Sequence, residues 1–243
     1  MIQIEALTKS FRGQSVLRGV SLTVPTGAIT VIIGRSGGGK SVLLKHVIGL
    51  LRPDSGRVMV DGEDVTQLSG EALDRVRRRY GVVFQGGALF DSMTCGENVA
   101  FPLREKLRLP RRDVGPRVEA ALAQVGLEGV GAKYPAEISG GMRKRVAIAR
   151  ALVTEPEIIF FDEPTTGLDP ILVNTIHRLI RALHERHHFT AVIVSHEIPS
   201  IFEIAHRVAM LGDGRIVEEG PPEMVQASAN PLVQQFIKGE PEP

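Results

Sequence analysis

The segment GRSGGGKS, at residues 34–41, has the residue types and spacing needed to bind a phosphate group. It matches the pattern G-x-x-x-x-G-K-[ST], in which turned backbone N–H groups surround the phosphates. Lys40 would add a mobile cation at the β and γ groups, and the Ser41 hydroxyl can ligate Mg²⁺. A strand-like stretch precedes the segment and a helix-like stretch follows it, so a chance glycine-rich turn is a weak alternative. A dinucleotide-binding fingerprint is set aside because the glycine spacing is wrong.

A second segment, ISGGMRKRVAIARAL at residues 138–152, also has the composition of an anion site. A serine and two glycines open onto a basic, helix-like run. The first turn of a helix offers exposed N–H groups and the positive end of the macrodipole, and glycines leave no Cβ in the way. An ordinary helix start with a serine cap is the alternative. The sequence therefore predicts two anion sites in one small chain.

Polar residues that could hydrolyse a bound nucleotide follow apolar strand-like stretches. Asp162 and Glu163 end IIFFDE, Gln85 follows YGVVF, and His196 follows TAVIVS. Ligands of open α/β sheets bind at the carboxyl ends of the strands, so these residues are expected at one edge. Asp162 could hold a metal ion, and Glu163 could orient or deprotonate an attacking water. Alone, an acidic pair is more often a solvated turn, but a phosphate loop in the same chain favours the functional interpretation.

The elements that must position these residues alternate between strands and helices. Short strands are predicted at IQIEAL, VSLTV and AITVII, and a hairpin or strand with an Asp-Gly turn at GRVMVDGEDV. Between Gln85 and Pro156 the pattern becomes helical and indicates an insertion. The strand–helix–strand order then returns, followed by a closing hairpin and two short helices before a polar EPEP tail. This alternation predicts an α/β core with a largely parallel sheet.

Composition limits the class of protein. The 243 residues are 43% hydrophobic, which suits one domain with an inserted subdomain. The net charge of +1 does not favour nucleic acid as a partner. A single cysteine, Cys95, excludes an internal disulfide framework and fits a reducing compartment. No apolar run approaches the roughly 20 residues of a membrane span. We therefore expect a soluble, cytoplasmic protein that would serve a membrane only through partners.

The order and spacing of these motifs resemble the ATPase subunits of ABC transporters over essentially the whole chain. Residues 34–41 resemble Walker A, ISGGM the signature motif, IIFFDEP Walker B, and GLD at residues 167–169 the D-loop. Gln85 corresponds to the Q-loop glutamine, His196 to the switch histidine, and Phe11 to the aromatic that stacks on adenine. The resemblance implies a P-loop NTPase (RecA-like) core at about 1–90 and 155–220, with an N-terminal antiparallel β-subdomain. It also implies a helical subdomain at about 91–154 and C-terminal helices at about 221–239.

The resemblance implies ATP and Mg²⁺ as cofactors, and a second copy of the chain as partner. In the family two subunits pair head to tail, so that the signature of one faces the Walker A of the other. The implied catalytic residues are Glu163, His196, Gln85 and Lys40, and the implied metal ligands are Ser41, Gln85 and Asp162. The implied nucleotide contacts are Phe11, Gly34, Arg35, Ser36, Gly37, Gly38, Gly39, Lys40, Ser41, Val42, Ser139, Gly140, Gly141 and Asp169.

A narrower likeness is to the ATPases of Mla-type (MCE-associated) phospholipid transporters. It rests on FQGGALFDSMTCGENVAFPLRE at residues 84–105, on GRSGGGKSVLL and on PLVQQFIKG. It implies phospholipid transport at the inner face of the inner membrane, with a permease, MCE lipid-binding proteins and a STAS-domain subunit as partners. A small-solute importer, for amino acids for example, is the alternative. The apolar residues Ala88, Leu89, Phe90 and Met93 are expected to dock the permease rather than pack internally.

The chain departs from the family pattern at a few positions and contains two further motifs. Val42 stands where many relatives have Thr, Met142 replaces a Gln, and TGLD replaces SALD, but hydrolysis is expected to survive. HERHH at 184–188 spells a zinc-protease motif, yet its histidines are expected to stay solvated in a last helical turn. RVRRRY at 75–80 is expected to be a charged helix face.

Non-transport ABC ATPases are less favoured, because translation factors carry two nucleotide domains and DNA-repair ATPases a long coiled coil. A regulatory module would be expected to lack Glu163.

Overall fold

The computed structural model describes residues 1–240. The chain divides into two compact units. The first unit comprises Met1–Arg77 together with the chain from Thr190 onward, and the second comprises Arg78–Phe189. No helix in the described part of the chain is long and apolar enough to span a membrane.

The first unit begins with an antiparallel sheet. Its strands, in the order β2-β1-β4-β5, are β1 (Ile2–Phe11), β2 (Gln14–Val24), β4 (Ser55–Val60) and β5 (Glu63–Asp64). The sequence predicted two short strands here, but β1 and β2 continue through polar residues to a tight turn at Arg12-Gly13, where both residues have positive φ. In β2, the buried Leu17 extends the inward-facing pattern beyond the predicted VSLTV into the polar stretch. The Asp-Gly turn between β4 and β5 is confirmed.

A second sheet of the first unit carries the phosphate loop. Its strands, in the order β10-β9-β3-β8, are β3 (Ile29–Ile33), β8 (Thr190–Ser195), β9 (Arg207–Gly212) and β10 (Arg215–Gly220). β3 is buried along its whole length and pairs in parallel with β8 and β9, as expected for a central strand of an α/β sheet. The helices of this unit are α1 (Lys40–Val47), α2 (Gly70–Arg77), α7 (Pro222–Gln226) and α8 (Pro231–Lys238).

The second unit combines a parallel strand pair with four helices. The strands are β6 (Tyr80–Val83) and β7 (Ile158–Asp162), and the helices are α3 (Cys95–Glu105), α4 (Arg111–Gln124), α5 (Gly140–Leu152) and α6 (Pro170–His187). The edge of the Tyr80 ring packs on Phe160, with centroids 5.1 Å apart. Side chains cap three of these helices: Thr94 caps α3, Ser139 caps α5 and Asp169 caps α6.

The end of α6 differs from the prediction made for HERHH. His184 is buried and its ring lies edge-on to Phe189, with centroids 5.4 Å apart. His187 hydrogen-bonds to Gln124 over 2.9 Å. The expectation that these histidines stay solvated is therefore wrong for His184, because the last turn of α6 packs into the unit. In the described residues, no group of three His, Cys, Asp or Glu side chains could hold a metal ion.

Arginines of the RVRRRY run have partners within their own units. Arg75 pairs with Glu63 at 2.9 Å, and Arg77 donates to the Gly49 carbonyl over 2.7 Å. Arg79 pairs with Glu157 at 2.7 Å.

Candidate functional site

The phosphate loop lies between β3 and α1 and depends on two glycines. A Cβ on Gly34 would lie 2.3 Å from the Leu211 carbonyl oxygen, so only glycine fits there. Gly39, with φ of 95°, precedes α1 and makes no side-chain cap bond. Lys40 is buried, and its Nζ donates to the carbonyls of Gly34 and Arg35, each over 2.8 Å. The lysine therefore lies folded over its own loop, next to the first turn of α1, where helices bind anions.

His196 lies at the same sheet edge as the phosphate loop. In the parallel pairing of β3 with β8, Ile33 is opposite Ser195, so Gly34 and His196 follow at neighbouring strand ends. The His196 ring is partly exposed, and its Nε2 lies 3.9 Å from Glu197. A polar, accessible imidazole at this position could donate to a bound phosphate.

Phe11, predicted to stack on a base, ends β1 and is 41% exposed. Lys9 Nζ lies 5.5 Å from the ring centroid and is fixed by a 2.8 Å ion pair with Asp54. Hydrogen bonds from Lys9 and the Ser10 amide hold the pKa of Asp54 below its usual value. An exposed aromatic ring supported in this way can stack on a planar ligand.

Two residues of the second unit that the sequence predicted for hydrolysis, Gln85 and Glu163, contact each other. Asp162 ends β7 and is buried, and Glu163 follows with a left-handed φ of 47°. Glu163 Oε2 accepts hydrogen bonds from Gln85 Nε2 over 3.1 Å and from Thr166 Oγ1 over 2.9 Å. The strand-end residues Gln85 and Glu163 thus lie together, as predicted. Non-glycine residues in this backbone region are strained and cluster at functional sites.

The signature segment forms the open first turn of α5. Ser139 is exposed, and its Oγ accepts a 3.2 Å hydrogen bond from the Met142 amide. Arg143 turns back and donates to the Ile138 carbonyl over 3.0 Å. The serine cap is therefore present, and it leaves the exposed helix end able to face an anion as well. Its role as an anion site stays a prediction.

Asp169 has a structural task in the described chain. Its Oδ1 accepts hydrogen bonds from the amides of Ile171 and Leu172, each over 3.0 Å, and so caps α6. The side chain is exposed at the surface of the second unit. Its predicted contact with a nucleotide stays a prediction.

The apolar segment after Gln85 borders a groove of about 390 Å³. Phe90 is 42% exposed and its ring lies 4.9 Å from that of Phe101. Asn98, fully buried, accepts from the Phe90 amide over 2.8 Å and donates to the Met93 carbonyl over 3.1 Å. The buried side-chain amide of Asn98 thus fixes the backbone of this segment, and the Phe90 ring stays exposed instead of packing in the core. The groove is lined by Tyr80, Gly81, Val82, Phe84, Ala88, Phe90, Phe101, Pro102, Lys106, Arg150, Ala151 and Thr154.

Three buried or half-buried cations of the second unit were missed by the sequence prediction. Lys106 donates to the Tyr80 carbonyl over 2.7 Å, Lys144 donates to the Gln85 carbonyl, and Arg150 donates to the Gly87 carbonyl over 2.5 Å. Burial lowers the pKa of each, and brings the pKa of Lys106 to about 8. The only signal in the sequence was that these residues lie within helix-like runs, and it does not distinguish a buried cation from a solvated one.

Comparison with known proteins identifies the family of this chain. The model of the ABC transporter family matches residues 17–166, more than half of the chain. The chain belongs to the ABC transporter family. The solved structure of the ATP-binding cassette MJ0796, a dimer in a post-hydrolysis state bound to ADP and Pi, matches with a TM-score of 0.83 and 33% identity. That match covers 91% of this chain and 99% of the cassette, so this ABC family member has the α/β fold of ATP-binding cassettes.

Two relatives differ in their named substrates. The chain is 43% identical to the probable ribonucleotide transport ATP-binding protein mkl of Mycobacterium bovis, over 98% of this chain and 66% of mkl. It thus spans just under two thirds of that relative's length. It is 40% identical to the intermembrane phospholipid transport system ATP-binding protein MlaF of Haemophilus influenzae, over 99% of this chain and 91% of MlaF.

Lys106 gives the stability of this ABC family member a defined pH dependence. The pKa of Lys106 is about 8 in the folded protein and near 10.5 in the unfolded chain. The Lys106 ammonium group therefore loses its proton at a lower pH when the protein is folded. The contribution of Lys106 to the free energy of unfolding therefore rises between these pH values. Urea unfolding of the wild type and Lys106→Met at pH 7.5 and pH 10 should show the wild type gaining stability relative to the variant. A difference that does not change with pH would contradict the burial of this charge.

Proposed function

We propose that this chain is the ATP-binding and ATP-hydrolysing subunit of an ABC transporter, which drives a membrane permease. The contact of Glu163 with Gln85 and Thr166 carries this proposal. A module that only binds nucleotide has no need of a carboxylate held in place by two hydrogen bonds at a strained backbone position. Similarity to a cassette that holds ADP and Pi supports hydrolysis further.

In the proposed site the loop at 34–42 surrounds the ATP phosphates, with Phe11 stacked on adenine. Lys40 would exchange its carbonyl partners for the β and γ phosphates, and each charge-assisted hydrogen bond is worth roughly 1.5–3 kcal/mol. Arg35, Ser36, Gly37, Gly38, Gly39 and Val42 contribute backbone N–H groups around the phosphates. His196 would contact the γ-phosphate.

The proposed ligands of Mg²⁺ are Ser41, Gln85 and Asp162. Their donor atoms are a hydroxyl, an amide oxygen and a carboxylate, the hard oxygen ligands that this cation prefers. Asp162 ends the buried strand β7, and ligands of α/β sheets bind at such strand ends, which fits this role. When bound, Mg²⁺ neutralises the charge that develops on the phosphates. Glu163 would then orient the attacking water and accept its proton.

A second copy of the chain would complete the site. Ser139, Gly140, Gly141 and Asp169 are proposed to contact the nucleotide that the other copy binds through its Lys40. The exposure of Ser139 and the dimeric state of the MJ0796 cassette support this pairing. ATP would close the dimer because its γ-phosphate bridges two incomplete anion sites, and hydrolysis would reopen it.

The proposed partner at the groove is a permease on the inner face of the inner membrane, and the proposed cargo is phospholipid. The permease would contact the segment 88–93, where Ala88 and Phe90 are exposed. The high coverage of MlaF favours phospholipid, and MCE lipid-binding and STAS-domain subunits would then complete the transporter. Ribonucleotide transport is the second candidate, favoured by the 43% identity to mkl.

Glu163→Gln separates binding from hydrolysis. The amide keeps the shape and an acceptor oxygen but cannot take a proton from water, so steady-state ATP turnover should fall by at least about 100-fold. Size-exclusion chromatography with ATP and Mg²⁺ should show a dimer in the variant. Turnover at the wild-type rate would remove Glu163 as the base.

Phe90→Asp tests the docking surface, with Met224→Asp as the control, since Met224 is also an exposed apolar side chain, on α7 of the first unit. A carboxylate in the apolar groove should abolish co-purification with the permease while the isolated subunit still folds and binds ATP. Leu89→Asp should act in the same way. Loss of folding in both Phe90→Asp and Leu89→Asp, with the control folded, would instead show that the segment packs internally.

A further inference from the structure

Helix α5 is fastened along its length to the loop at residues 85–88. Lys144, only 8% exposed, donates from Nζ to the Gln85 carbonyl. Arg150 donates to the Gly87 carbonyl over 2.5 Å and to the Ala88 carbonyl over 2.7 Å. Between these cations, a Cβ on Gly87 would lie 3.5 Å from the Ala147 methyl, so the loop rests directly on the helix.

The loop obtains little of its shape from its own hydrogen bonds. The Gly87 amide donates to the Phe84 carbonyl over 2.7 Å, which closes one turn. Gly87 and Ala88 then both have positive φ, at 78° and 47°, and such a conformation at alanine needs external support. Both carbonyls of this strained stretch accept hydrogen bonds from Arg150, and the Gln85 carbonyl before it accepts one from Lys144. The helix therefore supplies the support.

These contacts are hard to break separately. Burial lowers the pKa of both cations, because the protein excludes part of the water around each charge. A buried cation that loses its carbonyl partners is left uncompensated, and this makes such contacts persist when the surroundings move. Lys144 and Arg150 are six residues apart, about 9 Å along the helix axis, so the loop is held at two separated points.

We propose that Lys144 and Arg150 make α5 and the loop at 85–88 move as one rigid body within the chain. When the nucleotide bound by a second copy contacts Ser139, α5 moves. Both ends of the loop then move with the helix. Gln85 contacts Glu163 at one end, and Ala88 begins the groove segment at the other. Lys144 and Arg150 are therefore positioning residues that tie dimer closure to hydrolysis and to the permease. This inference rests on the proposed function.

Hydrogen–deuterium exchange measures this coupling directly. The full chain would carry Glu163→Gln, so that ATP and Mg²⁺ hold the dimer closed. Closure should slow exchange in peptides covering 139–142 and 84–90 by at least about tenfold. With Lys144→Met and Arg150→Met added, 139–142 should still be protected by ATP, whereas protection of 84–90 should fall below about twofold. Equal protection of both segments in this variant would overturn the proposal.

Arg145→Met is the matched control. Arg145 lies on the same helix and donates to the Gly126 carbonyl over 3.3 Å, away from the loop, so its loss should leave the protection of 84–90 intact. If the methionine variants do not fold, Arg150→Lys serves instead, because an ammonium lacks the fork that reaches two carbonyls. Protection of 84–90 should then be partly lost, and full protection would contradict the proposed coupling of α5 to the loop. Absence of ATP protection at 139–142 without these changes would mean that the proposed function fails instead.

Discussion

The first turn of a helix leaves backbone N–H groups without partners in the helix, and this chain begins two helices in a way that keeps such turns open. α1 begins after Gly39 with no side-chain cap, and α5 begins after Ser139 with a single serine bond. Both first turns suit an anion of high charge, such as a triphosphate. One turn belongs to the first unit and the other to the second. The proposal that a second copy supplies the missing turn follows from this duplication.

The second unit shows how one helix can serve several tasks. The first turn of α5 faces outward, while its buried cations hold the loop that contains Gln85. Gln85 in turn contacts the strained Glu163, so the proposed signature, the metal ligand and the base belong to one connected set of hydrogen bonds. The groove beyond this loop stays open because Asn98 fixes the chain around Phe90. A displacement of the first turn of α5 can therefore reach the groove through the contacts of the helix with the loop at 85–88.

Much of the fold could be predicted because apolar periodicity and turn residues mark its elements. The β3–loop–α1 unit and the meeting of Gln85 with Glu163 both follow from such patterns. The lengths of β1 and β2 could not, since their outward faces are polar and conceal the alternation. Nor could the burial of His184 and Lys144, or the contacts of Arg150 with backbone carbonyls, be predicted, because whether a polar helical residue meets solvent or a backbone carbonyl depends on tertiary packing. The roles assigned to individual site residues stay predictions.

The central claim is that each reaction centre takes its phosphate loop from one copy and its signature from the other. Mixing two inactive variants, Lys40→Met and Ser139→Arg, tests it most directly. A mixed dimer has one centre with both defects and one with none, so an equimolar mixture should recover about a quarter of wild-type ATP turnover. Full turnover by either variant alone, or no recovery in a mixture in which mixed dimers are detected, would contradict the account.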